Sequence, residues 1–206
     1  MFYQELQLNQ AGSKAVIRNC TDKKEKLRHI AIYLFKIFIT MVFCMAVVIG
    51  FSKIFGNGNS IVGVVVLLCV MAFRFADFGI RTPHAMGALV IMFAILTFGP
   101  RLANAGGLAQ EFLVNTVCIL ILMVLGCHNV VMFNHSTLLL SYLLLYGYDV
   151  TGELYIQRLI AMGIGATATL IVYYRNHHKK VYKRSLKDVF QEFDMHSLRT
   201  RWQITM

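Results

Sequence analysis

At 206 residues the chain has room for one or two soluble domains, but 57% of it is hydrophobic and only 15% charged, with a mean hydropathy of +0.61. So little polar side chain cannot cover a globule in water, which disfavours a soluble protein and points to an integral membrane protein. The formal net charge of +10 is gathered in the two tails, as an orientation and headgroup signal, and no basic stripe interleaved with aromatics suggests nucleic acid as a partner.

Residues 1–29 are polar and basic, with Lys14, Arg18, Lys23, Lys24, Lys26 and Arg28. The first apolar run starts only near Ile30 and is too long for a secretory signal, so this segment is expected to stay attached as a basic cytoplasmic arm. Six apolar runs follow: Ile30 to Phe55, Ser60 to Phe73, Ala85 to Gly99, Leu108 to Cys127, Asn129 to Tyr148, and Leu154 to Tyr174. Several fall short of the ~20 residues that cross ~30 Å of hydrocarbon, so tilt, snorkelling or local thinning must complete them. The runs predict an all-α fold, a polytopic transmembrane helix bundle of about six spans over residues 30–176. A five-span or re-entrant count stays open at the tight Gly126-Cys127-His128-Asn129 connection.

The basic tail, 177–206, opens with Ser185 and Asp188 at capping-box spacing, and Leu186, Val189, Phe190 and Phe193 repeat at helical period. It is expected to form an amphipathic cytoplasmic helix. With six spans both termini share a side. Placing them in the cytoplasm gathers Arg74, Arg81, Arg175, Lys179, Lys180, Lys183, Arg184 and Lys187 there. Lys53, Arg101 and Arg158 then face outward beside Glu111, Asp149 and Glu153.

Four residues stand out as candidates for substrate contact: Arg81, Arg158, His135 and Asn134. Arg81 precedes Pro83 at the start of the third run, where a guanidinium fork suits a headgroup or a carboxylate. The plainer alternative pairs it, or Arg74, with Asp77 across a helical turn. Arg158 sits at the mouth of the last span, either lining a cavity or neutralised by Glu153, Asp149 or Glu111. Asn134 and His135 belong to a polar cluster with Asn129, Ser136, Thr137 and Ser141, read as interhelical bonding or as the lining of a path. Ala161, Gly165 and Thr169 recur every four residues and mark a helix-packing face.

Catalysis finds little footing. Cys127 and His128 are adjacent, so on a helix they point about 100° apart, and His84 reaches them only through the fold. There is no HExxH, GxSxG, Walker or Rossmann pattern, no CxxC pair among the five cysteines, and no recognisable metal or cofactor motif. A membrane Cys-His peptidase is the most distant reading.

The order of the runs, the start of the third (Arg81 to Gly87), and above all Tyr155-Ile-Gln-Arg-Leu-Ile-Ala-Met-Gly-Ile-Gly-Ala166 resemble the membrane module of the fusaric acid resistance, or aromatic acid exporter, superfamily (FUSC). The likeness covers most of residues 27 to 176. It implies a multi-pass protein of the bacterial inner membrane, exporting aromatic or amphipathic organic anions, in a family of which several members act with periplasmic partners. Full-length members carry two modules; this chain has one, with Leu198-Arg-Thr-Arg-Trp-Gln-Ile204 echoing Leu27-Arg-His-Ile-Ala-Ile-Tyr33. A half-size subunit needing a second copy, or a truncated chain, is the expectation. The alternative class is a non-transporting membrane scaffold whose basic tails bind lipid or a partner.

Overall fold

The structure, a computed structural model, describes residues 5, 10–20, 22–126, 134–180 and 182–191, with side chains omitted at 10, 11, 134, 135 and 189–191. The chain divides into two compact units, residues 1–47 and 48–206.

In the first unit, α1 (Gln10–Asn19) and the start of α2 (Lys23–Phe55) are the described helices. Ser13 and Ile32 are buried, and His29 Nδ1 lies 2.8 Å from Glu5 Oε2. α2 begins seven residues before the apolar run because the polar stretch Lys23–His29 continues the helix. At 1.5 Å per residue its 33 residues reach about 50 Å, more than the hydrocarbon layer requires. Leu34, Phe38, Met41 and Phe43 are exposed on different sides of it, as lipid or partner helices permit and water does not.

The second unit holds the C-terminal end of α2, a 3-10 turn (Asn57–Asn59), α3 (Ser60–Phe75), α4 (Thr82–Asn104), α5 (Leu108–Gly126), α6 (Asn134–Gly147), α7 (Glu153–His177) and the short α8 (Leu186–Gln191). α3 and α4 form its centre: each packs against both α6 and α7, while α5 lies against α4 and α6. Their buried faces repeat every three to four residues, Val62, Val65, Val66, Cys69 and Phe73 on α3 and Ala85, Ala88, Leu89, Met92 and Leu96 on α4. Five described helical segments are long and apolar enough to span a bilayer, and α6 is a shorter apolar helix. The chain is an all-α, multi-pass membrane protein.

Where α7 meets α3, the packing depends on an absent side chain. Ala161, Gly165 and Thr169 are all buried on one stripe, and a Cβ on Gly165 would sit 2.2 Å from Val66 Cγ2. The helices approach at van der Waals distance only because position 165 has no Cβ. Thr169 does not break the apolar contact, since its hydroxyl donates to the Gly165 carbonyl at 2.8 Å.

α4 starts as its sequence requires, at Thr82 with Pro83 in the first turn, where the missing amide hydrogen has no helical partner to lose. α8 also starts on its own chemistry. The Asp188 carboxylate accepts the Ser185 N–H at 2.7 Å and Ser185 Oγ accepts the Lys187 N–H at 3.2 Å, a capping box with aspartate in the acidic position.

Candidate functional site

The buried stripe of α7 runs from Arg158 through Ala161, Gly165, Thr169 and Tyr173 to His177, with Arg158 at one end of the bundle and His177 at the other. Arg158 is 3% exposed. Its Nε donates to Asn59 Oδ1 at 3.1 Å and its Nη2 to the Gly58 carbonyl at 3.2 Å. Asn59, fully buried, donates its own amide to the carbonyls of Phe55 at 2.9 Å and Leu154 at 3.0 Å. One asparagine thus joins the end of α2, the turn before α3 and the start of α7.

Two of the three carboxylates expected beside Arg158, Asp149 and Glu111, are engaged elsewhere. Asp149 pairs with Arg101 at 2.9 Å, and Arg101 also lies over the Tyr155 ring, 5.7 Å from its centroid. Glu111 accepts the Tyr146 hydroxyl, and Asn115, one turn further along α5, accepts the Tyr142 hydroxyl at 2.7 Å. Among the described residues no carboxylate forms an ion pair with Arg158. Next to it, Gln157 Oε1 is buried and has no hydrogen-bond partner among the described atoms. The result is a guanidinium bonded to two neutral acceptors behind the Gly56–Asn59 turn, with an unpartnered amide oxygen on the next residue.

At the opposite, basic end the expected pairing is again replaced. The helix of α3 stops at Phe75, and residues 76–81 form a bent connector in which Gly79 takes a positive φ of 63° that a side chain would strain. Asp77 therefore lacks the helical geometry that would set it beside Arg74 or Arg81. Its Oδ1 accepts the Gly79 N–H at 3.0 Å, while Oδ2 accepts Lys180 Nζ at 2.8 Å and the Tyr182 hydroxyl. Burial alone would raise the Asp77 carboxyl, but these three donors outweigh it and hold the group below the ordinary carboxylate range. The hydrogen bond to Asp77 raises Lys180 in turn.

The tail continues along this connector. The Arg81 N–H donates to the Arg184 carbonyl at 3.0 Å, and the Leu186 N–H donates to His84 Nδ1 at 3.1 Å. The Arg81 side chain is exposed at this end of the bundle, so the structure separates it from Arg158 rather than joining the two. The side chains of Asn134 and His135 lie outside the described residues, as do Cys127, His128 and Asn129. Among the described residues no group of three or more His, Cys, Asp or Glu side chains is placed to hold a metal ion.

Residues that the sequence did not single out carry much of this geometry: Asn59, Lys180, Tyr182 and the Asn115–Tyr142 pair. Asn59 had a faint signal, a Gly-Asn-Gly-Asn turn at the foot of an apolar run. Set against models of protein families, curated proteins and solved structures, the chain finds no match in any of the three.

Proposed function

We propose that the chain is a membrane transport module of the FUSC type, half of a path for aromatic or amphipathic organic anions, completed by a second copy in a bacterial inner membrane. The observation that carries this reading is the buried Arg158, a cation within a spanning helix that forms no ion pair with a described carboxylate, although the charge of Asp149 reaches it through space. Ionisable groups at membrane depth are costly, and those retained face a partner or a pathway. A planar guanidinium bonded only to neutral acceptors suits an organic anion, whose carboxylate would take the place of those bonds. Gln157, with its unpartnered carbonyl, would accept a hydrogen bond from a hydroxyl of the same molecule, not from its carboxylate. The Gly56–Asn59 turn covers both groups, so an anion would reach Arg158 as that turn moves.

A second reading, a non-transporting membrane scaffold, is favoured by the same hydrogen bonds, since Arg158 also ties α7 to the turn before α3. Asn59→Asp separates the two. It sets a carboxylate against the guanidinium in the same side-chain shape and gives up the amide's two donations to Phe55 and Leu154, so the amount of folded protein is measured beside export. In cells or proteoliposomes challenged with an aromatic acid, the transport reading expects export to fall at least tenfold with the protein still folded. Unchanged export in Asn59→Asp would leave Arg158 a purely architectural residue.

A further inference from the structure

The geometry points to a binding site for the headgroups of anionic phospholipids at the basic end of the bundle, built by the clasp of the tail onto the connector between α3 and α4. This inference is independent of transport. Two stretches meet there, residues 74–84 and 175–188, with eight Lys or Arg side chains and two acidic ones between them. Both acidic side chains are engaged internally: Asp77 takes Lys180 and Tyr182, and Asp188 takes the Ser185 N–H. Among the described residues neither forms an ion pair with the exposed Arg81, Lys183 or Lys187.

The clasp brings these cations together from distant parts of the chain. The hydrogen bond from the Arg81 N–H to the Arg184 carbonyl sets residue 81 against residue 184, and the bond from the Leu186 N–H to His84 extends the contact. The level is right for headgroups, because α3 ends at Phe75, α4 begins at Thr82 and α7 ends at His177. Tyr174 is exposed and Tyr182 half-buried beside the cations, where interfacial aromatics settle. Charge complementarity selects the occupant: a leaflet rich in anionic lipid attracts such clusters within a Debye length.

The test is the preference of the purified full chain for spin-labelled phosphatidylglycerol over spin-labelled phosphatidylcholine in reconstituted membranes, read by electron paramagnetic resonance. Lys183→Gln with Lys187→Gln is expected to lower that preference by about fivefold per charge removed. The same change at Lys23 and Lys24 should leave it within twofold. Asp77→Asn is the decisive variant. It makes the chain more positive yet should lower the preference, because the clasp opens; Tyr182→Phe should do so more mildly.

Thermal midpoints recorded in parallel identify any variant that fails to fold, and Tyr182→Phe then stands in for Asp77→Asn. If folded variants with an opened clasp keep or increase the preference, net charge alone is at work and the built site is overturned. It is equally overturned if the lysine pairs at the two places are equivalent. Displacement of the bound lipid by soluble glycerol phosphate would also overturn it, by marking a free-phosphate site.

Discussion

Asn59 and Arg158 need each other in a way that truncation exposes. Arg158→Ala strands a fully buried Asn59 oxygen, and Asn59→Ala removes one of two described acceptors from a buried guanidinium. Leaving such a group unpaired costs about 1–3 kcal/mol. Each variant is therefore expected to lose about that much stability in detergent unfolding, and the double variant less than their sum, with a coupling of about 0.5–3 kcal/mol. Additive losses would mean the bond contributes nothing. Asp77 offers a pH handle with the opposite charge. Its carboxyl is held below the ordinary carboxylate value, so its stabilisation is complete above that value and disappears as the pH falls through its lowered one. Lys180, raised by the same bond, extends the pairing to pH values above the ordinary lysine range. A spin label at Lys183→Cys should therefore stay immobile from pH 5 to 9 and become mobile only below about pH 4, the ordinary aspartate range.

Close contact between α3 and α7 gives a prediction about elements. Gly165→Ala should destabilise the bundle by about 1–3 kcal/mol through overpacking against Val66, and Val66→Ala should largely restore it. Gly163→Ala, where a new Cβ meets nothing within 4 Å, is the control and should be nearly neutral. Spacing alone made this face readable: Ala161, Gly165 and Thr169 share it because residues four apart do so in any helix. The apolar runs were legible for the same reason, as were Pro83 at the start of α4 and the Ser185–Asp188 cap, all of which depend on neighbours in sequence. Side-chain partners across the bundle were not. The expected Asp77 pairing assumed a helix through residues 74–81; a bend at Gly79 removed that geometry, and the actual partner lies 103 residues away. Glu153, Asp149 and Glu111 were equally plausible for Arg158 on charge, but none forms an ion pair with it, and Arg101 and Tyr146 take Asp149 and Glu111.

Across the whole molecule, helices α3 and α7 are joined at three levels. Arg158 bonds the residues before α3, Gly165 admits Val66 midway, and Lys180 with Tyr182 holds Asp77 just after α3 ends. Two rods fixed at both ends and in the middle can neither slide nor roll past one another without breaking all three. On the transport reading, movement of the Gly56–Asn59 turn releases only the Arg158 end, while Gly165 and Asp77 keep the two helices together as a single stiff plank. If that reading holds, labels paired near Gly165 and Val66 should report one separation at neutral pH with and without an aromatic acid, while a label on the Gly56–Asn59 turn changes its environment.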